Sequence, residues 1–117
     1  MIVIVDDDRV ITELTKEFLL ENNYSAEGFN CGNAAINWFS QNHSCDLLIT
    51  DLHMKNGSGY ELLTWMKHNK PEVQTLVITG KLQVQLDEIR GTSCLDGIPV
   101  LSKPFTGDKL LSTIKIL

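Results

Sequence analysis

Short, mostly β-branched apolar runs separated by stretches of helical spacing constrain this chain more than any other feature. Ile2–Val5, Leu47–Thr50, Leu76–Thr79 and Ile98–Leu101 are nearly continuous in apolar residues, as strands covered on both faces must be. Tyr24–Phe29 is more polar and contains Gly28, which places it at a sheet edge. Between these runs the spacing turns helical. Val10, Ile11, Leu14 and Phe18 form one stripe, and Asn22-Asn23 offers a stop. Ala35, Ile36 and Phe39 form a second stripe. Ser58-Gly59-Tyr60-Glu61 has the form of a capping box opening a third helix on Leu62, Leu63 and Met66. Leu82, Leu86 and Ile89 suggest a fourth, ending near Gly91, and Leu110, Leu111 and Ile114 a fifth behind a Thr106 cap. Strand–helix alternation of this kind predicts an α/β fold, a (βα)5 doubly wound parallel five-stranded sheet of order 2-1-3-4-5 and flavodoxin-like architecture.

The 117 residues fit one domain spanning 1–117, large enough to bury a core without staples. A net charge of −5 with no Lys/Arg-rich run removes the footprint of a nucleic-acid binder, so no direct nucleic-acid contact is expected. Cys31, Cys45 and Cys94 are an odd count at wide spacing. They imply neither a disulfide framework nor a zinc motif, and read as small buried hydrophobes. His43 beside Cys45 lacks a second ligand pair at matching spacing, and His68 reads as a surface residue. Trp38 and Trp65 fall on helix faces, where packing or partner contact is expected of them. No run approaches a membrane span, and Met1–Val5 is too short for a signal peptide core. The expected location is cytoplasmic.

Ligands in doubly wound folds bind outside the carboxyl ends of the strands, at the point where strand order reverses. Asp6, Asp7 and Asp8 follow the first strand, Asp51 the third, Thr79 ends the fourth, and Lys103 follows the fifth. Asp8 reads as a helix cap. The remaining carboxylates, Asp6, Asp7 and Asp51, would converge and repel one another, and a hard divalent cation such as Mg²⁺ resolves this. A carboxylate is also a competent nucleophile in phosphoryl transfer, with Lys103 and the Thr79 hydroxyl able to stabilise phosphoryl oxygens.

Val5-Asp6-Asp7, the run Leu48-Ile49-Thr50-Asp51-Leu52-His53-Met54 with Gly57 and Gly59, Ile78-Thr79-Gly80, and Lys103-Pro104-Phe105 together resemble the receiver domains of two-component response regulators. The resemblance runs through essentially the whole chain. It implies that Asp51 takes a phosphoryl group from a phosphohistidine on a sensor histidine kinase or phosphotransfer protein. It also implies Mg²⁺ on Asp7, Asp51, the His53 backbone carbonyl and Asp6, the last directly or through water. Lys103 would bridge Asp51 and the phosphoryl group, Thr79 would move to bond it, and the Lys103–Pro104 peptide would be cis. Such a domain catalyses its own phosphorylation and slow dephosphorylation and turns over no separate substrate. Its dimer or output surface would be the face built from the fourth helix, fifth strand and fifth helix. The chain would hold a receiver and nothing else, either a single-domain regulator or part of a longer regulator or hybrid kinase.

Three departures stand out. Lys55 occupies the family's usual proline position. Val100 replaces the aromatic that commonly rotates on activation, so an aromatic switch cannot operate in that form. The segment from Leu82 to Gly97 is slightly long and contains Gly91, Thr92, Ser93 and Gly97. Lys81 and His53 occupy positions that, by the same resemblance, set how long the phosphoryl group survives. Competing classes fit less well. A phosphohydrolase built on Asp6–Asp8 leaves Asp51 unexplained, and a flavodoxin-like cofactor binder would set three aspartates against its own phosphate. An interaction module acting without phosphorylation is the alternative that the altered Lys55 and Val100 positions keep open.

Overall fold

The computed structural model describes residues 1–54, 59–80 and 97–117. The expected fourth helix lies outside these residues, as do Lys55, Gly57, Ser58, Lys81 and Cys94. Five strands, β1 (Ile2–Val5), β2 (Ala26–Phe29), β3 (Leu47–Asp51), β4 (Gln74–Thr79) and β5 (Val100–Ser102), form one sheet. All pairs are parallel, in the order β2-β1-β3-β4-β5, as the sequence predicts. Four helices accompany them among the described residues: α1 (Arg9–Glu21), α2 (Gly32–Ser40), α3 (Gly59–Asn69) and α4 (Gly107–Lys115).

Every residue of β1 and β3 is buried, which explains their unbroken apolar sequence. Alternate side chains feed two cores. One holds Ile2, Ile4, Ile49, Leu76 and Leu101 against Leu19 of α1 and Leu110 of α4. The other holds Val3, Val5 and Leu48 against Phe39 of α2 and Leu62 and Met66 of α3. Trp38 and Trp65 are partly buried against this second core, and His43 stacks on Trp38 at 4.6 Å rather than joining Cys45 in a ligand set. His68 is exposed on α3.

Some local expectations change. The stripe Val10, Ile11, Leu14 and Phe18 divides: Phe18 packs against the first core, whereas Val10 and Leu14 are 66% and 60% exposed, and the buried residues of α1 are Thr12 and Leu19. The helix is turned by a polar requirement, because the Thr12 hydroxyl donates to the turn after β1. Cys31 and Cys45 are half-buried rather than interior. The Cys31 sulfur serves as the cap of α2, accepting from Ala34 N–H, which keeps it near the surface. Burial pushes the Cys45 thiol up to about 11, with a backbone hydrogen bond from Val3 acting in the opposite sense. β2 is shorter than Tyr24–Phe29, and β5 lies later than Ile98–Leu101.

Candidate functional site

The end of β1 leads directly into the acidic turn. Asp8 caps α1, its Oδ1 accepting from Val10 N–H at 3.0 Å and Ile11 N–H at 3.3 Å, as the sequence predicts. That cap starts α1 close behind β1 and leaves Asp6 and Asp7 at the sheet's carboxyl edge. Asp51, the last residue of β3, comes up beside them. One carboxylate oxygen from each of Asp6, Asp7 and Asp51 lies within 4.8 Å of the others. Asp6 and Asp51 are buried, Asp7 half-buried.

Lys103 reaches this cluster from the far side. Its Nζ donates to Asp6 Oδ2 and to Asp51 Oδ2, each at 3.1 Å. The lysine is aimed by its backbone, since Lys103 N–H donates to the Thr79 carbonyl at 2.7 Å and continues the β4–β5 ladder. The Lys103–Pro104 peptide is cis. Thr79 is fully buried at the end of β4. Asp51 Oδ1 accepts from His53 N–H at 3.3 Å, so both oxygens of Asp51 are engaged and the His53 side chain is left exposed.

Among the described residues, the three carboxylates gather around the single ammonium of Lys103 in a partly dehydrated space. Burial raises the Asp6 carboxyl above its ordinary value, and the Asp8 N–H and Lys103 ammonium offset only part of this. Burial alone would lower Lys103, but its bonds to Asp51 and Asp6 outweigh it and hold the ammonium above its ordinary value. Clustered hard oxygen donors suit Mg²⁺, which takes one or two carboxylates and keeps the rest of its shell for water and phosphate oxygens. The donor set fits that ion.

Sequence reasoning reached Asp6, Asp7, Asp51, Thr79, Lys103 and His53, and the structure brings all six to one edge. It passed over the residues that hold them there. Thr12 Oγ1 and Asn30 Nδ2 both donate to the Asp6 carbonyl. Asn30 follows β2, so the rule that picks out strand ends could have found it. Gly59 opens α3 directly against the end of β3. A Cβ there would stand 2.3 Å from the Asp51 carbonyl oxygen and 2.7 Å from Leu52 Cα, so only glycine allows this approach.

An open apolar groove of about 530 Å³ runs from Lys103 along Pro104 and Phe105 to Ile11, Leu14 and Thr15. It lies beside the carboxylates and adjoins the exposed apolar face of α1.

The sequence matches the model of the response regulator receiver domain over residues 2–115. Regulatory protein VanRc of Enterococcus gallinarum is 30% identical over 116 residues, covering 97% of this chain and 48% of that protein. The chain spans about half the length of the curated relatives it matches. Among solved structures, the receiver domain of a signal transduction histidine kinase from Syntrophus aciditrophicus is 28% identical with a TM-score of 0.83, covering 98% of this chain and 86% of that one. A CheY-like response regulator receiver domain protein from Methanospirillum hungatei is 27% identical with a TM-score of 0.80, covering 98% and 90%. No helix among the described residues is long and apolar enough to cross a membrane.

Proposed function

The chain belongs to the response regulator receiver domain family, and from that premise we propose that Asp51 is the phosphoacceptor of a two-component phosphorelay in the cytoplasm. The observation that carries this is the double contact of Lys103 with Asp6 and Asp51 inside a cluster of three carboxylates. An isolated acidic turn would need neither the half-buried lysine nor the convergence of four strand ends.

In this reading an Asp51 carboxylate oxygen attacks the phosphorus of a phosphohistidine. The new bond is O–P, the broken one is N–P, and the imidazole leaves with the electron pair and takes a proton from solvent. Lys103 keeps a positive charge against Asp51 and is within reach of phosphoryl oxygens, while the His53 N–H orients the carboxylate. Asp6, Asp7, Asp51 and the His53 carbonyl would hold Mg²⁺, which when bound neutralises charge that builds on the transferring group. Thr79, at the end of β4, is the hydroxyl proposed to bond the phosphoryl oxygen and pass its presence to β5. The domain turns over no substrate other than its own phosphoryl group.

The donor is proposed to dock on the groove formed by Ile11, Leu14, Pro104 and Phe105. It adjoins Lys103, and the apolar side chains that α1 exposes there have no role in the core. Output or dimerisation is proposed for the face of β5 and α4 together with the segment between β4 and β5.

Intact mass after incubation with Mg²⁺ and acetyl phosphate tests the chemistry. Wild type should gain one phosphoryl group, and Asp51→Asn, or wild type in EDTA, should gain none. Absence of uptake, followed by failure to bind beryllofluoride, would favour the interaction module that acts without phosphorylation. Leu14→Asp should slow transfer from a phosphohistidine protein far more than uptake from acetyl phosphate; equal slowing would place the donor elsewhere.

A further inference from the structure

We infer that Thr12, assisted by Asn30 and admitted by Gly28, is a positioning residue that sets the Asp6–Asp7 turn in its cation-binding form before any cation arrives. This rests on the reading of Asp6 and Asp7 as cation ligands.

The turn leaves the sheet after Val5, where ladder partners for its carbonyls run out. Asp6 N–H still donates to the Phe29 carbonyl at 3.1 Å. The Asp6 carbonyl receives the Thr12 hydroxyl at 3.1 Å and the Asn30 amide at 3.2 Å. The same hydroxyl lies 3.1 Å from the Asp8 carbonyl, so its single proton is shared between acceptors on either side of Asp7. Asn30 Nδ2 also donates to Thr12 Oγ1 at 3.2 Å, using the hydroxyl's acceptor side. Asp8 N–H closes the loop on the Asp6 carboxylate at 2.9 Å. One buried side chain, 2% exposed, thus brackets the whole acidic turn.

The packing that permits this is specific. A Cβ on Gly28 would stand 2.6 Å from Thr12 Cγ2, so a larger residue in β2 would force α1 or its threonine away. Thr12 therefore takes a buried place on α1 while Val10 and Leu14 face out; a leucine there would bury more carbon but leave the turn's carbonyls without the hydroxyl. The gain is preorganisation. Asp6, Asp7 and Asp51 repel one another, and an unrestrained turn would splay and have to be gathered again on binding. Partners that orient the ligands rather than touch the ion typically matter about 10–100-fold in affinity.

Thr12→Val and Thr12→Ser separate the hydroxyl from the packing. Valine keeps the branched shape and loses the hydrogen bonds, and serine does the reverse. Mg²⁺ binding to the whole chain is measured by calorimetry, and phosphoryl uptake from acetyl phosphate is measured across a Mg²⁺ series. Thr12→Val should raise the dissociation constant and the half-saturating Mg²⁺ together by about tenfold, with the rate at saturating Mg²⁺ close to wild type and Thr12→Ser restoring both. Asn30→Ala, which truncates an exposed side chain and opens no core cavity, should move both constants the same way by about threefold, and keeps the test open if the valine variant does not fold. Lower thermal stability with unchanged Mg²⁺ constants in these variants overturns the inference alone. A wild-type chain that binds no Mg²⁺ overturns the site reading and this inference with it.

Discussion

The two strands that carry the opposite charges of the site are built very differently. β3 has five buried residues, pairs with β1 on one side and β4 on the other, and ends in Asp51. β5 has three residues, of which one is buried, pairs among the described residues only with β4, and hands on to Lys103. The anion therefore stands on the most constrained strand, and the cation follows an edge. They meet through the Lys103–Asp51 contact and through the Lys103 N–H bond to Thr79. In the proposed phosphorelay, charge added at Asp51 would find its least costly outlet in β5, since elements with few buried contacts open most readily. Val100, at the start of that strand, is partly buried beside Leu52, Leu63 and Val77. In the same proposal it would transmit a shift by packing, having no ring to rotate.

The difference should appear first in stability. Ile49→Ala removes a side chain with no exposure between two paired strands and should cost about 4 kcal/mol in urea unfolding, near the upper part of the range for core truncations. Leu101→Ala, 5% exposed on the edge strand, should cost about 2 kcal/mol because its surroundings can close in. Equal costs would break the contrast between a fixed centre and an adjustable edge.

Two glycines sharpen it at closer range. Gly59→Ala drives a Cβ into the backbone of Asp51 and Leu52, and both are tied to β4, Asp51 by its pairing with Ile78 and Leu52 by its N–H to the Ile78 carbonyl. About 2–3 kcal/mol should be lost, as overpacking typically costs, together with most phosphoryl uptake. On the other side, a Cβ at Gly80 would meet, among the described residues, only Lys103 Cβ at 4.0 Å, an ordinary contact. Gly80→Ala should stay within about 0.5 kcal/mol of wild type and keep its uptake. Paired thermal melts and intact-mass assays check both variants.

The contrast also marks what the sequence makes legible. Sheet order, the Asp8 and Thr106 caps and the gathering of Asp6, Asp7, Asp51, Thr79 and Lys103 all follow from apolar periodicity and strand-end placement, because those signals are local. The facing of α1 does not. Val10 and Leu14 look like core by spacing, and only the hydrogen bonds of Thr12 to Asp6 and Asp8 show why they are turned out. Gly59 stands in the glycine-containing motif, yet its function as a contact surface for Asp51 depends on how α3 seats against β3. β5 is misplaced by the apolar run because Ile98 and Pro99 are half-buried ahead of the strand. The Pro99 carbonyl still accepts from Val77 N–H at 3.0 Å, so the run begins before the strand does.

A change smaller than either core truncation tests the charge balance between the two halves. Burial holds the Asp6 carboxyl above its ordinary value of 3.8, and Lys103 offsets only part of the cost. A raised carboxyl favours folding when protonated. Its contribution is fully present below the ordinary value and is lost as pH rises through the folded value. At neutral pH the ionised Asp6 therefore weighs against the metal-free fold. Asp6→Asn in EDTA at pH 7 should raise the melting midpoint by roughly 3–5 °C, about what 1 kcal/mol is worth in a domain of this size. The gain should shrink as pH is lowered through the raised Asp6 value, where wild type sheds the same charge by protonation. Saturating Mg²⁺ should narrow or reverse the order, because wild type gains binding free energy that the variant, lacking a ligand, largely forgoes. A variant that melts below wild type in EDTA would mean that the edge lysine fully compensates the buried carboxylate, and that the charge of the two halves is already balanced without a cation.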